Sequence, residues 1–244
     1  MTTVIDDSAI RVIERDDFMR DYWDYEPGEH VTIIGPTRRG KTYLGFQLLG
    51  ATTSKQMQGF VLWSKPRDEG TSVKEWAKRL DYRIIEEYPP GYRFKKLPGY
   101  ILKPHHTLQD LKVDRQEIKK QFRACIMDCY RSKDARIVFV DEAQEVQGPL
   151  GLKEECEAMW KRGSGLHCGC WALAQRSAYN SMDMYNAPEH LFLFNDPDKK
   201  NRERFGQIGG IDRMLVERLT NGLGEYQVLY IKRTGGYLPC IVNP

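Results

Sequence analysis

The chain has 244 residues, with 37 lysines and arginines against 34 aspartates and glutamates, a formal net charge of +3. This length suits one well-packed domain, and the near balance of charge excludes long acidic or basic tails. No apolar run reaches the roughly 20 residues of a membrane-spanning helix, and the polar start is unlike a signal peptide. The sequence predicts a soluble, cytoplasmic protein without a membrane partner, in which residues 1–244 form one domain and 1–28 pack on it as an extension.

Short runs of Val, Ile, Leu and Phe recur along the chain, and most of them lack the alternation of apolar and polar residues seen in half-exposed strands. They predict buried strands separated by helical segments, an arrangement typical of an α/β fold with a largely parallel central sheet. The predicted strands are Val31–Ile34, Phe60–Trp63, Tyr82–Ile85, Ile137–Val140, Trp171–Ala174, Leu191–Phe194 and Gln227–Ile231.

Two segments have the form of a capping box at the start of a helix, Ser72–Glu75 and Asp114–Glu117. After the second segment, four apolar residues at steps of four, three and four form one stripe on the predicted helix: Ile118, Phe122, Cys125 and Cys129. The segment Asp81–Thr107 mixes prolines, glycines and aromatics, and it is either a long excursion or a strand pair that protrudes from the sheet. Near the end, two strands joined at Thr234-Gly235-Gly236 predict a hairpin at the sheet edge.

The first predicted strand leads into a glycine-rich turn with the pattern G-x-x-x-x-G-K-[ST], and a helical segment follows. Backbone N–H groups of such a loop wrap a polyphosphate, and the two glycines sit where a side chain would obstruct the approach. The lysine reaches the β- and γ-phosphates, and the threonine hydroxyl holds Mg²⁺. The predicted nucleotide-binding residues of the loop are Gly35, Pro36, Thr37, Arg38, Arg39, Gly40, Lys41 and Thr42.

The run "RIVFVDEAQ" places Asp141 and Glu142 at the carboxyl end of a buried strand, where α/β sheets bind ligands. Asp141 is predicted to hold Mg²⁺ together with Thr42, through a water molecule. Glu142 is predicted to be the general base that orients and deprotonates the attacking water. The adjacent glutamate favours a RecA-like ATPase of the additional-strand, catalytic-glutamate class, in which a further strand lies between the phosphate-loop strand and the Asp-Glu strand. ATP and Mg²⁺ are the predicted cofactors.

Before the first strand, "MRDYWDY" at Met19–Tyr25 has two interpretations. It is either an aromatic shelf for adenine or an amphipathic segment that packs on the sheet.

Further along, the chain resembles the FtsK–HerA superfamily of DNA-pumping ATPases. The resemblance depends on Arg162-Gly-Ser-Gly165-Leu-His167, then Ala174-Gln175-Arg176, then Asn186, the strand Leu191–Phe194 and the turn that carries Arg202 and Arg204. The segment "GLGEYQVLYI" also resembles the Gly-Asp-Met-Leu-Tyr strand of that family. The match extends over most of the chain from Val31 onward.

The resemblance implies further catalytic residues. Gln175 matches a polar sensor of the γ-phosphate, and Arg162 matches an arginine that acts on the nucleotide of the neighbouring subunit, with Arg176, Arg202 and Arg204 as alternatives. An arginine acting in trans implies a homo-oligomeric ring, a pentamer or hexamer.

The function that follows is an ATP-driven translocase of double-stranded DNA, most simply a viral or phage packaging ATPase that uses a portal or procapsid as its anchor, working in the host cytoplasm. The departure from the bacterial chromosome translocases is Ser177, where those proteins have proline. Three alternatives stay open: a conjugation-related or helicase-like translocase, a nucleotide-dependent switch, and a small-molecule kinase.

Overall fold

A computed structural model describes residues 10–67, 72–90, 97–175, 183–205, 212–234 and 239–244. Ten strands form one sheet in these residues. The strands are β1 (Arg11–Ile13), β2 (Val31–Ile34), β3 (Gln58–Leu62), β4 (Tyr82–Ile85), β5 (Gly99–Leu102), β6 (Arg136–Val140), β7 (Cys168–Ala174), β8 (His190–Phe194), β9 (Val228–Lys232) and β10 (Cys240–Val242).

The strand order across the sheet is β1-β10-β9-β8-β2-β7-β6-β3-β5-β4. Among the described strands, β9 alone runs against the others, since it pairs antiparallel with both β8 and β10. The remaining pairs are parallel, so eight other strands, β10 among them, end at the same edge of the sheet as the phosphate-loop strand β2. This confirms the predicted α/β class with a largely parallel sheet.

Helices cover both faces of the sheet, and a separate apolar cluster lies on each face. Leu44 of α2 and Trp76 of α3 belong to one cluster, whereas Phe122 of α4 and Met159 of α6 belong to the other. Coverage on both faces explains why the strands are continuously apolar. The helices are α1 (Arg15–Asp17), α2 (Lys41–Thr52), α3 (Val73–Leu80), α4 (Leu111–Arg131), α5 (Ala143–Gln147), α6 (Lys153–Arg162), α7 (Asp183–Asn186), α8 (Lys199–Phe205) and α9 (Arg213–Gly222).

The strand between the phosphate-loop strand β2 and the Asp-Glu strand β6 is β7. An intervening strand is the feature that the adjacent glutamate predicted. However, β7 follows β6 in the chain, and the roughly one hundred residues between the two motifs form β3, β4 and β5 on the far side of β6. The residues between the two motifs therefore do not form the strand that lies between β2 and β6.

The two predicted helix starts have different outcomes. Ser72 caps α3, because its side-chain oxygen accepts a hydrogen bond from the Glu75 N–H at 3.3 Å, as predicted. The predicted cap at Asp114 is wrong, since α4 begins at Leu111 and Asp110 is its N-cap. Asp114 lies inside the first turn, where its carboxylate accepts hydrogen bonds from Thr107 and from the Leu108 N–H. The predicted apolar stripe on α4 is buried.

Two predictions about the sheet edges need correction. The segment Asp81–Thr107 contains β4 and β5, which pair in parallel as part of the sheet, with β4 as its outermost strand on that side, and do not protrude from it. At the other edge, β9 and β10 form the predicted antiparallel pair, but β1 pairs with β10 and is the outermost strand. The predicted turn residues Gly235 and Gly236 lie outside the described residues.

The aromatic segment Met19–Tyr25 packs on the sheet, partly as a π-helical segment, Phe18–Tyr22. The Trp23 ring lies 5.8 Å from the Trp171 ring and 5.9 Å from the Phe192 ring, measured between centroids. These contacts correspond to the packing interpretation of the segment. Within the described ranges, the structure contains no helix of the length and apolarity needed to cross a membrane.

Candidate functional site

The loop between β2 and α2 forms a cradle whose shape depends on two glycines. The Gly35 N–H donates to the Ala174 carbonyl at 3.1 Å, which ties the loop to β7, and a Cβ at Gly35 would lie 2.5 Å from Cβ of Phe194. Gly40 precedes the helix with φ of 84°, a left-handed conformation that side-chain-bearing residues rarely adopt. Within the loop, Thr37 and Arg38 are exposed, whereas Pro36 and Arg39 are partly buried.

Lys41 and Thr42 begin α2 and both side chains have local partners. Lys41 is buried, and its Nζ donates to the Pro36 carbonyl of the same loop at 2.7 Å. Thr42 Oγ1 donates to Asp141 Oδ1 at 3.0 Å. Burial lowers the pKa of Lys41 to about 8, although Asp141 and Glu142 act in the opposite direction. A phosphate bound against the loop would place negative charge next to the Lys41 ammonium group, and this would favour the protonated lysine.

The ends of β6 and β7 bring Asp141, Glu142 and Gln175 to the loop. The Gln175 side chain donates from Nε2 to Glu142 Oε1 at 3.1 Å and accepts from Thr37 Oγ1 at 3.3 Å. Gln175 therefore bridges the phosphate loop and the acidic pair. Neighbouring parallel strands that end at one sheet edge produce this convergence, because β7 lies between β2 and β6.

Lys65 is a site residue that sequence analysis missed. It follows β3, and its Nζ lies 2.7 Å from Asp141 Oδ2 and 3.5 Å from Glu142 Oε1. The register of β3 on β6 pairs Leu62 with Val140, which places the residues just after both strands side by side. No motif marks Lys65. The only sequence signal is a polar residue shortly after a predicted strand.

The charges of this cluster shift the pKa values of Lys65 and Glu142. Burial lowers the pKa of Lys65, but Asp141 and Glu142 more than offset that effect, so the pKa is raised. Burial raises the pKa of Glu142, and the neighbouring Asp141 adds to this while Lys65 opposes it. A carboxylate with a raised pKa is a better proton acceptor near neutral pH.

The donor set fits a hard divalent cation. Thr42 supplies a hydroxyl and Asp141 a fully buried carboxylate, and their oxygens already lie 3.0 Å apart. Oxygen donors of this kind suit Mg²⁺, which prefers one or two protein ligands together with phosphate oxygens and water. The phosphate loop begins beside them, and its backbone N–H groups are the usual partners of the phosphates that such a cation accompanies.

The four candidate arginines lie in different places. Arg162 is exposed at the end of α6, near the start of β7, so the length of that strand, roughly 20 Å, separates it from the level of Gln175. Arg202 donates from Nη1 to the carbonyl of Pro197 at 2.6 Å, and Arg204 lies over the Tyr185 ring at 5.8 Å. Arg176 lies outside the described residues. None of the three described arginines is brought into the cluster of Glu142, Gln175 and Lys65.

Comparisons with known proteins place this geometry in a fold. No protein-family model matches the chain, and no curated protein matches its sequence. Among solved structures, it is similar to the genome packaging NTPase B204 from Sulfolobus turreted icosahedral virus 2. In complex with AMPPCP that protein gives a TM-score of 0.56 at 13% identity, over 90% of this chain and 98% of the other.

Two further structures agree. The AMP complex of the same NTPase gives a TM-score of 0.55 at 12% identity, over 90% of this chain and 99% of the other. B204, described as the DNA-packaging ATPase from Sulfolobus turreted icosahedral virus, gives 0.54 at 14% identity, over the same shares of the two chains. The chain therefore has the P-loop NTPase fold that the sequence predicted, and it spans nearly the whole length of these proteins.

Proposed function

We propose that the chain is an Mg²⁺-dependent ATPase that moves double-stranded DNA, as the packaging motor of a virus or phage. One observation carries the ATPase proposal. The ends of β3, β6 and β7 bring Lys65, Asp141, Glu142 and Gln175 together beside a glycine-rich phosphate loop. The fold shared with a genome packaging NTPase supports the extension to DNA, and the FtsK–HerA-like residues from Arg162 to Arg204 support it independently.

Each side chain has a definite part in the proposed reaction. Lys41 exchanges its hydrogen bond to Pro36 for oxygens of the β- and γ-phosphates. Thr42 and Asp141 hold Mg²⁺, which when bound neutralises charge on the phosphate oxygens. Glu142 orients the attacking water and accepts its proton, and Gln175 contacts the γ-phosphate from its position between Thr37 and Glu142.

Lys65 balances the charge of the two acids in this reaction. Two neighbouring carboxylates repel each other in a buried site, and a lysine within 4 Å of both reduces that repulsion. Lys65 and Gln175 contact the same oxygen of Glu142, Oε1, and together they restrict the position of its carboxylate.

The proposed assembly is a homo-oligomeric ring in which Arg162 acts on the neighbouring subunit's nucleotide. Arg162 is exposed at the amino end of β7, away from its own phosphate loop, which supports a role on a partner's nucleotide. An inserted guanidinium stabilises charge on the transferred phosphoryl group.

The trans role is tested by mixing two inactive variants. In a mixed ring, a subunit carrying Arg162→Ala retains an intact site, and a neighbouring Glu142→Gln subunit supplies the arginine. We expect each variant alone to hydrolyse ATP at least about 10²-fold more slowly than wild type, and the mixture to recover activity. If Arg162 acted within its own chain, no mixing ratio would restore hydrolysis.

The DNA-translocating function is tested by steady-state ATP hydrolysis with and without linear double-stranded DNA at low salt, with Glu142→Gln as the blank. We expect DNA to stimulate hydrolysis and added salt to remove the stimulation, because phosphate contacts weaken steeply with ionic strength. Sedimentation at the same protein concentrations reports ring assembly. Assembled rings with hydrolysis indifferent to DNA would contradict a motor, and turnover no higher than the blank would favour a nucleotide-dependent switch.

A further inference from the structure

The site has two sides with different chemistry. Lys65, Glu142 and Gln175 follow β3, β6 and β7, which all lie on one side of β2 in the sheet. The groups that act on the γ-phosphate are therefore on that side of the phosphate loop. On the other side of β2 lie β8 and β9. With the γ-phosphate on the first side, we expect the ribose and base of a bound nucleotide to extend toward β8 and β9.

Tyr226 lies on this second side, at the phosphate loop itself. Because β9 runs against β8 and pairs Val228 with Phe194, the residues just before β9 lie at the edge where β2 and β8 end. Cδ1 of the Tyr226 ring lies 3.5 Å from the position that a Cβ of Gly40 would take. The residue is 43% exposed, so part of the ring is open to a ligand.

The backbone around Tyr226 is held in an uncommon conformation. Its φ of 63° lies in the left-handed region, which is rare for a bulky side chain. The buried Arg15 donates from Nη2 to the Tyr226 carbonyl at 3.1 Å. The Gly224 N–H donates to Gln227 Oε1 at 2.7 Å, and Gln227 Nε2 donates to Asn243 Oδ1 at 2.8 Å. Residues in sparsely populated backbone conformations concentrate at ligand-binding sites.

The aromatic segment before β2 and the aromatic residue at the start of α2 both pack against other rings. Trp23 and Tyr25 pack with Trp171 on the sheet face, so the segment that contains them offers no shelf. The Tyr43 ring, on α2, meets the Trp76 ring edge-on at 5.2 Å. Tyr43 is also exposed, but among the described residues Tyr226 is the exposed aromatic residue whose ring lies at contact distance from Gly40 of the loop.

We propose that Tyr226 forms the wall of a nucleobase subsite, on which the base of the bound nucleotide stacks, and that Arg15 is a positioning residue for it. This inference rests on the proposed nucleotide binding at the phosphate loop. Stacking on one aromatic face does not distinguish bases, because every base has a π-face. The subsite therefore contributes affinity for nucleotides in general and not a preference for adenine over guanine.

The test separates the base from the phosphates. Dissociation constants are measured calorimetrically for ATP, GTP and inorganic tripolyphosphate with Mg²⁺, using wild type, Tyr226→Ala, Tyr226→Phe and Lys41→Ala. Stacking is worth about 1–3 kcal/mol by alanine substitution, which corresponds to about 5-fold to 150-fold in affinity. We expect Tyr226→Ala to weaken ATP and GTP binding by such a factor and to bind tripolyphosphate as wild type does, and Tyr226→Phe to stay within about twofold, since the ring alone stacks.

The control is Leu111→Ala, which removes another exposed apolar side chain, 67% exposed, at the far β5 side of the sheet. It should change none of the three affinities. Unchanged ATP affinity in Tyr226→Ala would overturn the subsite, and so would equal weakening of ATP and tripolyphosphate, which would mean that Tyr226 supports the loop. Failure of the proposed function looks different, because wild type would then bind tripolyphosphate no better than Lys41→Ala.

Discussion

The two sides of the phosphate loop differ in what holds them together. On the β3–β6–β7 side, charged and amide groups contact one another directly, as in the Lys65–Asp141 ion pair at 2.7 Å and the Gln175–Glu142 hydrogen bond at 3.1 Å. On the β8–β9 side, an aromatic ring lies at the loop and Arg15 holds the backbone behind it. The β3–β6–β7 side has groups that move protons and balance charge. The β8–β9 side has an aromatic ring on which a flat base can stack. We therefore expect substitutions on the first side to change turnover and those on the second to change affinity.

The largest expected effect comes from Glu142→Gln. Without the general base, kcat should fall by about 10²–10⁴-fold, while ATP binding persists because the phosphate loop is intact. Steady-state hydrolysis and calorimetric ATP titration measure the two quantities. The matched control is Glu145→Gln, on the first turn of α5, which should hydrolyse ATP like wild type. Turnover at the wild-type rate in Glu142→Gln would remove Glu142 from its role.

A second effect concerns Lys65, whose removal leaves a buried carboxylate without its counter-ion. We expect Lys65→Met to lower the free energy of unfolding by about 3 kcal/mol without ligand, the usual cost of breaking a buried ion pair. Mg²⁺ should then stabilise this variant more than wild type, because a bound cation replaces the missing charge. Thermal denaturation with and without Mg²⁺ measures both effects.

Lys65→Arg is the conservative control, and it should respond to Mg²⁺ nearly as wild type does. An equal Mg²⁺-dependent rise in Tm for wild type and Lys65→Met would show that Lys65 does not balance the charge of the acidic pair.

The pH dependence of hydrolysis should report the ionisation of Glu142 and Lys41. Glu142 acts as a base only when ionised, and burial raises its pKa, so kcat should fall on acidification at a pH above the ordinary glutamate value of about 4.3. Lys41 binds phosphate when protonated, and its pKa in the free protein is about 8, so kcat/KM should fall as pH rises through that value. A pH–rate profile at saturating and at low ATP separates the limbs. An acid limb at or below the ordinary glutamate pKa would contradict the assignment.

The smallest effect is expected outside both sides of the site. Ser72→Ala removes the N-cap of α3 and should lower the free energy of unfolding by about 1 kcal/mol. The hydrolysis rate and ATP affinity should stay at wild-type values, because α3 packs on the sheet face and not at the loop. Urea denaturation measures the stability change. A large loss of activity in a folded Ser72→Ala protein would mean that α3 acts on the site.

Local patterns led to the phosphate loop and to Asp141 and Glu142, whereas Gln175 was expected from the resemblance to a known family. The glycine spacing of the loop and the apolar run ending in Asp141-Glu142 are short-range signals, and the central strands are apolar because both faces are covered. Lys65 was not predicted because its contact with Asp141 depends on the register of β3 on β6. A local sequence pattern does not determine that register.

The second side of the site could not be predicted, for a related reason. Tyr226 meets Gly40 only because β9 turns back antiparallel beside β8, so the contact joins residues from opposite ends of the chain. The strands β1 and β5, which the sequence did not predict, have three and four residues, too few for a periodic signal. At α4, the capping pattern predicted a helix start at Asp114. The N-cap is Asp110, one turn earlier.

The most direct test of this division is a single-turnover measurement of ATP binding and cleavage by Glu142→Gln and Tyr226→Ala under the same conditions. We predict that Glu142→Gln binds ATP with wild-type affinity and cleaves it at least about 10²-fold more slowly. Tyr226→Ala should bind ATP more weakly and, once saturated, cleave it at close to the wild-type rate. Cleavage by Glu142→Gln at the wild-type rate, or a cleavage defect of similar size in saturated Tyr226→Ala, would contradict the account.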